Sequence, residues 1–446
     1  MKKQIFTLLV GITSLASAEP PSQLATVAPT PPMGWNSWDC FATTVTEAQT
    51  RAHADIMADK LVRFGWNYVV VDIQWYEPGA TGYDYRKGAP VELDANGRLL
   101  PAVNRFPSSA NGKGFEPLAG YAHSKGLKFG VHLMRGIPRQ AVKANSPILG
   151  TPYHAADIAD VNSTCKWNGD MFGVDMSKPG AQEYYDSVFA QLAAWQIDLV
   201  KVDDLSRPYH LPEIEAIHRA ILKTGRPMVL SLSPGETPLD QGAHVATQAN
   251  MWRMSDDFWD KWPLLLEQFE RCRKWAPLAK PGAYPDADML PLGIVELGRK
   301  TRFTKDEQYT LMSLWCIARS PLIMGGDLTK LDDFTLSLLT NKEVIAVDQA
   351  SSGNHQLFNH DGLIAWVADV PNSKDRYLAL FNTRDRDPKG GETLPVSVSA
   401  EELGLKSFTK VRDLWKSENS SVDAAAFAPG IAFHGAGLYR IAGGEK

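Results

Sequence analysis

Residues 179–204 read "PGAQEYYDSVFAQLAAWQIDLVKVDD". Residues 179–197 have the apolar spacing of an amphipathic helix. Residues 198–204 are a short apolar run that ends on two aspartates. A helix leading straight into such a strand is half of a parallel βα repeat, because parallel neighbours need a crossover between them. The repeat recurs on both sides. "NYVVVDI" (67–73) follows the helical "TEAQTRAHADIMADKLVRFG", and "GLKFGVHL" (126–133) follows "GFEPLAGYAHSK". "PMVLSLS" (227–233) follows "LPEIEAIHRAILKTG". Next come "ANMWRMSDD" (249–257), the helical "FWDKWPLLLEQFERCRKWA" and "EQYTLMSLWCIARSPLIMGGDL". Seven or eight such units over about 300 residues predict an α/β fold closed as a (β/α)8 barrel. An open sheet more often shows a Gly-rich phosphate turn after its first strand, and the sequence has none.

From about residue 353 the pattern changes to short runs between turn clusters: "HQLFNHDGLIAWVADV", "DRYLALFNT", "LPVSVSAEEL", "FTKVRDLWK" and "GAGLYRIA". These predict an antiparallel β-sandwich. The expected organisation is a catalytic barrel over 31–350 and a C-terminal β-sandwich over 351–446, preceded by a Pro-rich leader over 19–30. Residues 1–18 predict a Sec signal peptide: Lys2 and Lys3, an apolar run over 5–15, and Ala16-Ser17-Ala18 as the cleavage site. The protein is therefore expected to be exported, to a bacterial periplasm or beyond, with no membrane partner after cleavage.

The chain is 44% hydrophobic and 22% charged, enough for a large core. Its net charge of −5 argues against a nucleic-acid partner. The thirteen tryptophans fit a large aromatic core and a set of sugar-stacking faces equally well. Cys40, Cys165, Cys272 and Cys316 have no metal-binding spacing, so no metal site is expected. Cys316 reads as a buried thiol, and spacing leaves open whether Cys40 and Cys165 pair.

Chemistry in a barrel sits where the strands end. Here those ends are polar: Trp35, Trp38 and Asp39; Asp72; His132 and Arg135; Lys201, Asp203 and Asp204; Ser231 and Ser233; Arg253, Asp256 and Asp257; Asp286 and Asp288. Each has a plainer alternative. Asp204 and Asp256 fit helix caps, Lys201 a structural ion pair, and His132 a core histidine. "DADM" fits a bent loop or, more weakly, an oxygen-ligand metal site. Convergence is what favours a site, because five or more ionisable strand ends are costly without a polar ligand. Carboxylates on different strands, framed by indoles, suit glycoside hydrolysis. Within "DLVKVDD", Lys201 and Asp203 share a face while Asp204 points the other way. A loop or helix-cap role is expected for Asp204.

As an ordered set, "PPMGWNSWDCF", "LVKVDD", "MWRMSDDFWDKW", "DADML" and "IARSPLIMGGDL…NKEVIAVDQ" resemble glycoside hydrolase family 27, the α-galactosidase and α-N-acetylgalactosaminidase family. The resemblance spans about residues 31–350. It implies a retaining double displacement without metal or cofactor. It makes Asp203 the nucleophile and Asp257, four residues after Arg253, the acid/base. It places Trp38, Asp72, Lys201 and Arg253 around the sugar and Asp288 at the pocket edge. Ser233 stands where many α-galactosidases have a Glu reading the 2-hydroxyl, and His132 where the family usually has a Tyr. Leu205 replaces the cysteine after the nucleophile motif, so that family disulfide is absent.

One further departure bears on specificity. The family usually has two adjacent acids after the second strand, and here Asp72 is followed by Ile73. The second acid helps hold the galactose 4- and 6-hydroxyls. An apolar residue suits a sugar lacking the hydroxymethyl group, such as β-L-arabinopyranose. The segment 135–175 is longer than the usual insert, and its Trp167, Arg135 and Arg139 fit either extra sugar contacts or a structural cover. The expected function is an exported retaining exo-glycosidase that removes terminal α-D-galactosyl residues. β-L-arabinopyranosidase and α-N-acetylgalactosaminidase are the alternatives. Retention of both Asp203 and Asp257 weighs against a non-catalytic sugar-binding protein.

Overall fold

The computed structural model describes residues 23–386, 391–424 and 426–444; the predicted signal peptide lies outside them. Eight parallel strands form one curled sheet: β1 (Met33–Asn36), β2 (Tyr68–Val71), β3 (Lys128–Met134), β4 (Leu199–Asp203), β5 (Val229–Leu232), β6 (Met251–Arg253), β7 (Tyr284–Asp286) and β8 (Leu322–Met324). Neighbours in the sheet are neighbours in the chain, and β1 also pairs with β8. Just past β7, Leu290 bridges in parallel to Met324 at the end of β8, which brings the two edges together as a (β/α)8 barrel requires. The strands are apolar on both faces because helices cover the sheet outside and side chains fill it inside.

Helices Glu47–Ile56, Glu116–Ser124, Ala181–Ala194, Leu211–Thr224, Gly242–Gln248, Trp262–Trp275 and Lys305–Ala318 form the crossovers. Thr46 and Thr304 cap theirs with complete capping boxes. Lys305–Ala318 is buried on nearly every side. The reason is its position between the barrel and the C-terminal sheet, where Thr310 donates to the His434 carbonyl and Trp415 Nε1 donates to Ser313. Cys316 on this helix is buried, and all four cysteines are free.

The C-terminal part is an antiparallel β-sandwich. Its six-stranded sheet is ordered Ser352–His360, Leu363–Asp369, Arg376–Asn382, Gly435–Gly444, Ser407–Asp413, Glu418–Ala424. Leu378, Leu380, Val396, Phe408, Val411 and Ile441 fill its own core. At the end of the barrel where the strands begin, residues 23–30 of the stretch read as a leader are folded. Gln23–Val27 is a short helix, and Ala28 packs against Tyr68, Val70, Leu199 and Met251 inside the strands. Tyr284 donates to the Pro29 carbonyl at 2.8 Å. This stretch plugs the mouth through which the strands enter, leaving the other mouth for a ligand. Trp35, Trp66, Trp75, Trp252, Trp275, Trp315 and Trp366 are core residues.

Candidate active site

β4 delivers Lys201 and Asp203 to the open mouth on one face of the strand. Lys201 Nζ donates to Asp72 Oδ2 at 2.8 Å and stands 3.8 Å from Asp203 Oδ1. Asp72, at the end of β2, is fully buried but well satisfied. It also accepts from Asn36 Nδ2 at 2.7 Å and from the Ile73 amide at 2.8 Å. His132 from β3 brings Nε2 within 2.9 Å of Asp203 Oδ2, although neither ring nitrogen makes an aligned hydrogen bond among the described residues. The Trp75 indole donates to the His132 carbonyl at 2.7 Å and fixes that strand end.

Opposed effects set the charge of Asp203. Burial raises its pKa, but Lys201, then His132 and Arg253, outweigh that and hold the carboxyl below the usual carboxylate range. The pair is mutual: burial disfavours the ammonium of Lys201, and Asp203 and Asp72 restore it with a net upward shift. An ionised, desolvated carboxylate next to a fixed cation is what nucleophilic attack needs.

The second cation is Arg253 at the end of β6. Its Nη2 lies 2.7 Å from Asp288 Oδ2 and 3.2 Å from Asp257 Oδ1, and its Nη1 donates to Ser233 Oγ at 3.3 Å. Asp288 also accepts from the Phe258 amide at 2.7 Å. Burial raises the Asp288 pKa against the pull of Arg253, with Asp257 and Asp286 adding to the rise. Asp257 differs in access: its side chain is 48% exposed, while that of Arg253 is 2% exposed. A group at the rim can reach a departing oxygen and bulk water. Asn36, Lys201, Ser233, Arg253, Asp286 and Asp288 line one cavity, floored by Val70, Leu199, Met251 and Ile323 of the barrel interior. Trp38 sits beside it, its amide donating to Asn36 Oδ1 at 2.8 Å. Among the described residues, no group of three or more His, Cys, Asp or Glu side chains is arranged to hold a metal ion.

Two features take roles that the sequence reading did not fix. Asp39 is 1% exposed, and its Oδ2 has no hydrogen-bond partner. Burial, then the charges of Asp288 and Asp257, push its pKa well up. A Cβ at position 325 would overlap this carboxyl, which is why glycine follows β8 there. Its only sequence signal was an acid directly after Trp38.

The second feature is Arg135, which decides between alternatives the sequence left open: Asp204 takes the loop role and Arg135 the structural one. Asp204 is not a helix cap. It adopts φ +66° and pairs with Arg135 Nη2 at 2.8 Å. Arg135 is not a sugar contact. It is buried, and it also holds Glu213 at 2.7 Å through Nη1. Its own amide donates to the Asp203 carbonyl at 2.9 Å, so this network fixes the backbone carrying the candidate nucleophile. Arg135→Met should destabilise the protein by about 3–5 kcal/mol, because it leaves two carboxylates without their cation. Urea unfolding measures this, and an unchanged midpoint would show the network to be dispensable.

Known proteins share this architecture. A family model described as alpha galactosidase A matches residues 30–178 and 169–350, and one described as the alpha galactosidase C-terminal beta sandwich domain matches 360–441. The chain is similar to a family 27 β-L-arabinopyranosidase from Geobacillus stearothermophilus. The identity is 50% and the TM-score 0.90, covering 94% of this chain and 98% of that one. It is also similar to a putative α-N-acetylgalactosaminidase from Bacillus halodurans, with 44% identity and a TM-score of 0.83, over 93% and 97% of the two chains. Alpha-galactosidase 2 of Arabidopsis thaliana is 27% identical over 98% of this chain and 96% of its own length. The motifs, the two-part architecture and these matches together show that the chain belongs to glycoside hydrolase family 27.

Proposed function

We propose that the protein is a retaining exo-glycosidase whose preferred substrate ends in a β-L-arabinopyranosyl unit, with α-D-galactosides as slower substrates. The observation that carries this reading is Ile73, an apolar residue 1% exposed and directly after the lysine-bound Asp72. Sequence alone put α-galactosidase first. The 50% identity to an arabinopyranosidase supports moving the alternative ahead. The two sugars share their ring configuration and differ by the hydroxymethyl group. With Ile73 in place of the second acid that the family resemblance leads one to expect beside Asp72, that group's hydroxyl loses a partner, and an unpaired polar group is costly on burial.

The chemistry runs in two steps. An Asp203 oxygen attacks the anomeric carbon as the glycosidic C–O bond breaks, and Asp257 gives its proton to the departing oxygen. The sugar is then held as an ester on Asp203. Water attacks the same carbon, Asp257 takes its proton, and the Asp203 carboxylate leaves. Lys201 keeps Asp203 ionised, and Asp72 offers acceptor oxygens to the sugar hydroxyls.

Ile73→Asp tests the specificity. The ratio of kcat/KM for galactosyl over arabinosyl aryl glycosides should rise by about tenfold or more, the scale on which single pocket contacts discriminate substrates. Ile73→Asn provides a neutral variant at this buried position. An unchanged ratio in both variants, or a wild type that prefers galactosides, would overturn the proposal. The latter result would support α-galactosidase, the activity named for the Arabidopsis relative.

A further inference from the structure

We propose that Tyr85 and Trp167 form the leaving-group side of the pocket, a stacking surface for the pyranose ring that departs. This rests on the exo-glycosidase reading above. Three aromatic rings lead outward from the sugar pocket. Trp38 and Tyr85 lie nearly parallel, 10° apart with centroids at 6.2 Å. Tyr85 then meets Trp167 at 5.6 Å and 45°. The first ring stands beside Asn36, which holds Asp72. The last is 39% exposed and reaches solvent.

The middle ring is bracketed by Trp38 at 6.2 Å and Trp167 at 5.6 Å. Burial, then the charges of Asp203, Asp72 and Asp257, push the Tyr85 hydroxyl up. Tyr83 braces the inner end, edge-on to Trp38 at 5.5 Å, with its hydroxyl donating to the Asp39 carbonyl at 2.7 Å.

The outer ring is held in place. Asp170, three residues after Trp167, accepts from Gln74 Nε2 at 2.6 Å, Tyr76 Oη at 2.9 Å and Asn168 Nδ2 at 3.1 Å. The Arg139 amide donates to its carbonyl at 2.9 Å. The long segment after β3 is thus tied to the loop after β2, and Trp167 is presented from a fixed base. A large indole left part-exposed beside a carboxylate-lined pocket suits a ligand with one apolar face and a polar rim. A pyranose has both, and the loop carrying the half-exposed Asp257 reaches the same set of rings, where Trp259 meets Tyr83 edge-on at 5.8 Å.

The test compares two substrates with the same terminal sugar: an arabinopyranosyl disaccharide and the corresponding methyl arabinopyranoside. Trp167→Ala should lower kcat/KM on the disaccharide by about five- to tenfold, the scale of one aromatic contact, and leave the methyl glycoside within about twofold. Trp167→Phe should recover most of the loss. Equal losses on both substrates, or none on either, would overturn the proposal. The same pair made with α-galactosyl units separates this outcome from an error in the terminal sugar. Wrong glycone specificity changes which pair is turned over, whereas a missing leaving-group surface removes the difference within each pair.

Discussion

Asp203→Ala should lower kcat on an aryl glycoside by roughly 10⁴-fold or more, in line with the loss of a nucleophile in other covalent mechanisms. The surroundings explain why this loss reports chemistry rather than collapse. Lys201 keeps its 2.8 Å bond to Asp72 when Asp203 is removed, so no cation is stranded. The Arg135 amide bonds the backbone carbonyl of residue 203, which survives truncation of the side chain. His132, 2.9 Å from the lost carboxylate, gains a small space on the face from which attack occurs. Azide should enter that space and restore turnover, giving a glycosyl azide of inverted anomeric configuration. More than about one per cent of wild-type activity without azide would remove Asp203 from the nucleophile role, since covalent catalysis cannot run without its attacking atom. Wild type that binds sugar yet turns over none of the arabinosyl, galactosyl or N-acetylgalactosaminyl aryl glycosides would instead indicate a binding protein.

The parts of this fold that depend on local pattern were legible in the sequence. Tyr68–Val71 and Leu199–Asp203 are short apolar runs fed by amphipathic helices, and both became barrel strands. Most sandwich strands were legible for the same reason, with turn clusters marking their ends; the edge strand Glu418–Ala424 was not. What local pattern missed depends on contacts between distant residues. Asp204 reads as a loop or cap residue from its neighbours alone, and only folding brings Arg135 to it from 69 positions away. Tyr85 lies in an irregular loop with no periodicity, and its value comes from Trp38 and Trp167 on other elements. Ala28 was read in a leader because proline-rich sequence carries no burial signal, yet it closes the lower end of the barrel. The tryptophans could not be divided by composition. Position decided it: the fully buried ones stiffen the core, while Trp38 and Trp167 face the pocket or solvent.

Asp257→Ala should separate substrates by leaving group. On a methyl glycoside, whose alkoxide needs a proton, kcat/KM should fall by about 10²–10⁴-fold, the usual worth of a positioned general acid. On a 2,4-dinitrophenyl glycoside the first step needs little protonation, so kcat/KM should fall far less. The second step still lacks its base, so the glycosyl ester on Asp203 should accumulate and appear as a burst. Azide needs no base to attack that ester. It should relieve the slow step and give a glycosyl azide of retained configuration, the opposite of the Asp203→Ala product. The pocket tolerates this change because Arg253 keeps Asp288 at 2.7 Å and Ser233 at 3.3 Å after Asp257 is lost. Asp257 is also the half-exposed member of that cluster, so its removal opens no sealed cavity. Equal losses on the two leaving groups would show that Asp257 does not protonate the departing oxygen. Asp39 would then be the first residue to replace, as a buried acid whose Oδ2 lacks a partner and whose pKa is raised by burial, then by the charges of Asp288 and Asp257.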